Sequence, residues 1–247
     1  MVEKKELEKH RTLKILLKGA TGTGKTYTAC QIAKFLSEKG KKTFYIDNQK
    51  GASDELANFD EEVLSNIEYR NTFNFDDMHE IARTSAKEGA MLTVIDDLGL
   101  LQLLSRRSAT ERFIKQGYFY GAMSKGGDIG KVAIDNPALF HLTGFMYANP
   151  NRKEEDFLVD MIEQNHIIGA IMTDKVGEFK GREVDGWFGI IMKMKTKEEK
   201  DKDGVLRTNY YGELVKDRGA VFQKENEDVD IGTLILNPHK RLQRLLE

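Results

Sequence analysis

The sequence predicts an α/β fold: a mainly parallel central sheet flanked by helices, with an antiparallel hairpin extension toward the C-terminal end. Two observations carry this. Short apolar runs (Leu13 to Leu17, Lys42 to Asp47, Leu92 to Ile95 and the run beginning at His166) alternate with stretches of helical periodicity, the arrangement that builds parallel sheets through crossover helices. After Gly186 the pattern changes to two apolar–polar alternating runs around Asp203-Gly204, a dipeptide that closes hairpins.

Taken in order, Leu13 to Leu17 read as a buried strand and Tyr27 to Glu38 as a helix, joined by a glycine-rich turn. Lys42 to Asp47 give a second strand, followed by an acidic stretch to Ser65, and Asn66 to Asn71 a third. Asp76 or Asp77 is placed to cap a helix whose Met78, Ile81 and Ala82 share one face and which Gly89 ends. The run "AMLTVIDDLGLL" is a buried strand ending in two aspartates. Asn151 to Asn165 carry i, i+4 apolar pairs at Phe157 and Met161 and at Leu158 and Ile162, and "HIIGAIMTDKV" follows as another buried strand. The last apolar piece, "TLIL", leads to Asn237-Pro238, which suit the N-cap and first turn of a terminal helix.

Composition narrows the function classes. The chain has 247 residues, 40% of them apolar and 32% charged, enough for one large α/β domain. No run approaches the length of a membrane span, and the mixed-charge start "MVEKKELEKHRTL" lacks the apolar core of a secretory signal, so a cytoplasmic protein without a membrane partner is expected. The single cysteine, Cys30, reads as a small apolar filler rather than a reactive thiol. A net charge of −2 exerts no global pull on nucleic acid, so any DNA contact must come from a local patch.

The glycine-rich turn has a specific chemistry. Gly19, Gly24, Lys25 and Thr26 match G-x-x-x-x-G-K-[ST] without gaps, in the segment Gly19, Ala20, Thr21, Gly22, Thr23, Gly24, Lys25, Thr26 and Tyr27. Glycines let backbone N–H groups wrap phosphate oxygens without Cβ clashes, and the following helix adds the positive end of its dipole. Lys25 is expected to reach the β- and γ-phosphates of ATP, and the Thr26 hydroxyl to ligate Mg²⁺. Asp96, at the tip of the strand Leu92 to Ile95, is the candidate second metal-site residue, as a Walker-B aspartate.

On these two motifs the chain resembles the RecA-like P-loop ATPases, especially the compact AAA/RecA-type ATPases of viruses and mobile elements. The resemblance follows the order of elements over residues 12 to 220. It implies a single ATPase domain over residues 1–247, with an inserted loop region at 104–150 and a C-terminal extension at 221–247. It also implies roles. Gln49 stands where the family places a catalytic glutamate, and a Gln orients a water without accepting its proton, so hydrolysis through it would be slow. Asp97 is the alternative base, with a structural hydrogen-bonding role as the plainer option. Thr173, followed by Asp174, falls at the position of a polar sensor. Lys216 and Arg218 of "ELVKDRG" are similar to the Lys-x-Arg segment that reaches a neighbouring subunit's nucleotide, and as strand residues two apart both would project from one face.

The inserted region carries Arg106, Arg107, Arg112, Lys115, Lys125 and Lys131 with Tyr118, Phe119 and Tyr120 interleaved, a composition that suits single-stranded nucleic acid, although packing aromatics share that spacing. "PALFHLTGFMYANP" reads as strand-rich and as a candidate hairpin for subunit contact, and His141 within it as structural. The expected function is an oligomeric ATPase, ring or filament, coupling ATP to transactions of single- or double-stranded DNA in recombination, replication or packaging. A nucleotide-dependent switch with little turnover is the alternative, and a small-molecule kinase with an arginine lid (Arg106, Arg107, Arg112) a third reading.

Overall fold

The computed structural model describes residues 12–115, 148–172, 184–222 and 230–247. Within them eight strands form one sheet: β1 (Leu13–Gly19), β2 (Thr43–Asp47), β3 (Ile67–Asn71), β4 (Leu92–Asp96), β5 (His166–Met172), β6 (Ile190–Lys200), β7 (Leu206–Asp217) and β8 (Leu234–Leu236). The helices are α1 (Lys25–Glu38), α2 (Ser53–Leu56), α3 (Glu61–Leu64), α4 (Phe75–Lys87), α5 (Leu101–Lys115), α6 (Ala148–Asp160) and α7 (Pro238–Arg244). The strand order is β3-β2-β4-β5-β1-β6-β7-β8. The first six strands in that order run parallel, and β7 is antiparallel to both β6 and β8.

The continuous apolar runs are explained by burial on both faces of the sheet. Because successive strand residues point to opposite sides, Ile15, Leu17, Tyr45, Val94 and Ile168 join one core with Ile32 and Leu36 of α1 and Leu242 of α7. Their neighbours Leu16, Ile46, Ile95 and Ile167 join a second core with Met78 of α4, Leu101 and Leu104 of α5, and Phe157 and Leu158 of α6. Each fully buried side chain of this kind is worth about 1.5–3 kcal/mol, so the two cores fix which helix covers which face.

Several expectations are corrected in detail. Asn74, not Asp76 or Asp77, caps α4: its side-chain oxygen accepts from Asp76 N at 2.8 Å and Asp77 N at 3.4 Å, while the two aspartates sit in the first turn facing the helix dipole. The acidic stretch before Ser65 contains the one-turn helices α2 and α3. The helix expected from Asn151 begins earlier, at Ala148, so the end of the supposed hairpin segment is helical, and it tightens into a 3₁₀ turn at Met161–Glu163. The hairpin forms as expected, with Gly204 at φ 79° and Asp201 accepting from the N–H groups of Asp203 and Val205 at its turn. Asn237 and Pro238 do open α7, with Asn237 in the left-handed region and no side-chain cap bond. Tyr118, Phe119, Tyr120, Lys125, Lys131, His141, Thr173 and Asp174 lie outside the described residues.

Candidate nucleotide-binding site

Four parallel strands run side by side toward the site. Register places Asp47 of β2 level with Asp96 of β4, Asp96 level with Ala170 of β5, and Ala170 level with Leu17 of β1. The carboxyl ends of these strands and the start of α1 therefore share one edge of the sheet, where open α/β folds place their ligands.

The loop after β1 turns on Gly22 (φ 79°) and Gly24 (φ 82°), conformations that favour glycine. Gly19 is needed for a different reason: a Cβ there would meet Met194 O and Thr23 Oγ1, each at 2.6 Å. Thr23 Oγ1 donates to Ala20 O at 2.8 Å, closing the loop on itself. Lys25 is buried and its Nζ donates to Gly19 O at 2.9 Å and Ala20 O at 2.7 Å, so the ammonium is held within the loop rather than extended into solvent.

Thr26 Oγ1 donates to Asp96 Oδ2 at 2.6 Å, and Tyr45 OH donates to the same oxygen at 3.1 Å. Asp96 is 5% exposed, and burial lifts its pKa to about 6 against the opposing pull of the Thr26 and Tyr45 hydrogen bonds, with Asp47 and Asp97 raising it further. A buried carboxylate touching a threonine hydroxyl is a hard-oxygen donor pair that fits Mg²⁺, which is held by one or two protein ligands together with phosphate oxygens and water. Under the same turn Cys30 is fully buried and its thiol is pushed up to about 12, first by burial, which fits the filler expected of it.

Gln49 and Asp97 are neighbours: Gln49 Nε2 donates to Asp97 Oδ2 at 3.0 Å. The other Asp97 oxygen accepts from Gly99 N and caps the short 3₁₀ turn Leu98–Leu100. Sequence reasoning missed the residues that hold this pair. Asn48, fully buried, accepts from Asp97 N at 2.6 Å and donates to Asp97 O at 2.8 Å. Asp47 accepts from the N–H groups of Gln49, Lys50 and Ala52 at 2.8, 2.7 and 3.0 Å. No local pattern marks Asn48 or Tyr45, because the groups they serve are about fifty residues away in sequence.

Lys216 and Arg218 are placed differently from the expectation of one strand face. Lys216 lies in β7 and its Nζ donates to Asp185 O at 2.6 Å, whereas Arg218 follows the strand in a turn, exposed, with its backbone N bonded to Gly189 O at 2.7 Å. Both lie at the Asp217–Ile190 end of the hairpin, next to the beginning of β1 rather than the glycine loop at its end. Arg107 pairs with Glu111 at 3.1 Å along α5, beside Asp76 and Lys153.

A strand ending in a glycine loop, a helix opening with Lys25 and Thr26, and a carboxylate from a neighbouring parallel strand against that threonine define a P-loop nucleotide-binding domain. Comparison with known proteins gives the family: residues 14–217 match the CobQ/CobB/MinD/ParA nucleotide binding domain, and the chain belongs to that family. Among solved structures it is similar to a KaiC-like protein from the hyperthermophilic archaeon Pyrococcus horikoshii OT3, with 18% identity, 84% of this chain and 80% of that chain covered, and a TM-score of 0.48. No curated protein matches it. Among the described residues no helix is long and apolar enough to cross a membrane.

Proposed function

We propose that the protein is a slow Mg²⁺-dependent ATPase of RecA-like type, working as a ring or filament on DNA. The observation that carries the reading is the 2.6 Å bond between Thr26 and Asp96 beside the loop that holds Lys25. In this reading Lys25 and the loop amides bind the β- and γ-phosphates, and Thr26 and Asp96 hold Mg²⁺, which when bound neutralises phosphate charge.

Gln49 orients the attacking water. A carboxylate only accepts hydrogen bonds, so the amide nitrogen of Gln49 faces Asp97 and its oxygen remains as the acceptor for a water proton. Asp97, with both oxygens engaged, fixes Gln49 rather than serving as the base, and an amide takes no proton, so turnover is slow. The same observation favours the second reading, a nucleotide-dependent switch in which binding, not hydrolysis, is the output.

Assembly rests on Arg218, exposed at a sheet end remote from its own glycine loop and so positioned to serve a neighbouring copy. Contact with DNA rests on the cations of α5 and the segment that follows it. The test is ATP turnover with and without single- and double-stranded DNA, together with mixtures of Lys25→Ala and Arg218→Ala chains. Measurable turnover that DNA stimulates, and partial recovery in the mixtures, are expected of the ATPase. Negligible turnover under all conditions, with ATP binding intact, identifies the switch. Turnover that no mixture restores removes Arg218 from the assembly.

A further inference from the structure

Thr26 and Tyr27 are adjacent at the start of α1 and address opposite sides of the glycine loop. Thr26 bonds Asp96 of β4, which lies on one side of β1 in the sheet. Tyr27 meets residues from the other side. Its ring lies nearly parallel to that of Tyr210 in β7, with centroids 6.3 Å apart and planes 24° apart, and it takes the ring of His239 in α7 edge-on at 5.6 Å. Three segments remote in sequence thus bring aromatic rings together beside the phosphate loop, on the side away from Asp96.

We infer that Tyr27 and Tyr210 form a stacking platform for the base of the bound nucleotide, a purine, with His239 holding Tyr27 in place. The inference rests on the nucleotide-binding reading of the loop. If the γ end of a triphosphate is fixed at Thr26 and Asp96, its nucleoside leaves the loop on the opposite side, along β6 and β7. The Tyr210 ring forms the wall there: a Cβ on Gly24 would come within 2.7 Å of it, so the ring touches the loop's last glycine directly. Tyr210 is fixed by pairing with Thr196 across the hairpin and by the bond from Asn237 N to its carbonyl oxygen at 3.1 Å, which also ties it to the start of α7.

Tyr27 is 40% exposed and so retains open ring surface for a ligand. A single exposed tyrosine needs no explanation, but here two further rings orient it. Burial, helped by Lys240, lowers the His239 pKa, which leaves a neutral imidazole to pack against Tyr27 near pH 7. A bicyclic base covers more of this surface than a pyrimidine and gains more from stacking.

Calorimetric titration of the full chain in Mg²⁺ tests this with three ligands: ATP, CTP and inorganic tripolyphosphate. The wild type is expected to bind ATP more tightly than CTP. The double substitution Tyr27→Ala with Tyr210→Ala should weaken ATP by about tenfold or more while leaving tripolyphosphate unchanged, and the Phe counterparts at both positions should retain ATP affinity. Retained tripolyphosphate binding also shows that the variant is folded. Unchanged ATP affinity in the Ala variant, or a parallel loss of ATP and tripolyphosphate, would overturn the platform while leaving the phosphate loop standing. Equal binding of ATP and CTP by the wild type would overturn the purine assignment. If the wild type binds neither ATP nor tripolyphosphate, the failure lies in the nucleotide reading itself, and the platform falls with it.

Discussion

Asp96 is held where a negative charge is costly, and that cost sets a pH dependence. Its pKa rises from 3.8 to about 6 on folding, so between these values the folded chain keeps a proton that the unfolded chain has lost. Folding stability from this group therefore falls as pH rises from about 4 to about 6 and stays low above, by a total of roughly 1–3 kcal/mol. In EDTA, denaturant unfolding of Asp96→Asn should lack this decline and exceed the wild type by about that amount near pH 7, while losing Mg²⁺-dependent nucleotide binding. Equal pH profiles for the two proteins would show that the carboxylate is not strained in this way. Asp96 was legible in the sequence because an apolar run ending in aspartate has meaning once a glycine loop is present. Asn48 and Tyr45 were not. Asn48 grips the backbone of Asp97 and Tyr45 the carboxylate of Asp96, contacts that span 49 and 51 residues and leave no local pattern.

Among the elements, α4 shows how a cap is chosen. Three polar residues, Asn74, Asp76 and Asp77, could each open a helix, and the sequence favoured an aspartate. Asn74 takes the role because its backbone is extended at φ −103° and ψ 126° while its side chain reaches two orphan N–H groups. The aspartates lie inside the helix, where Asp76 also pairs with Lys153 of α6 at 2.6 Å. Asn74→Ala is expected to cost about 1 kcal/mol in urea unfolding, because two N–H groups of the first turn lose their acceptor. A loss below a few tenths of a kcal/mol would mean that the capping bonds contribute nothing net. Helix α1 was easier to read, since its glycine–lysine–threonine start is a contiguous motif. The one-turn helices α2 and α3 were not legible, because four residues are too few for a periodicity to register.

At the scale of the whole molecule, the alternation of strands and helices was enough to give the parallel sheet, but not the order of its strands. That order depends on which residues meet across the sheet, such as Leu17 beside Ala170 and Ala170 beside Asp96, and no segment encodes it alone. The C-terminal extension is likewise more integral than its sequence suggested. Ile235 of β8 and Leu242 of α7 are buried in the same core as α1, and His239 reaches Tyr27. The fold thus sets the hydrogen-bonded pair Thr26 and Asp96 on one side of a single glycine loop and the rings of Tyr27 and Tyr210 on the other, and the chain's family membership agrees with a nucleotide at that point. Titration of ATP into the wild type and into Lys25→Ala, each with Mg²⁺ and with EDTA, tests this most directly. Saturable binding that requires Mg²⁺ and disappears in the folded Lys25→Ala chain is the expected result, and equal ATP binding by both chains regardless of metal would contradict the account.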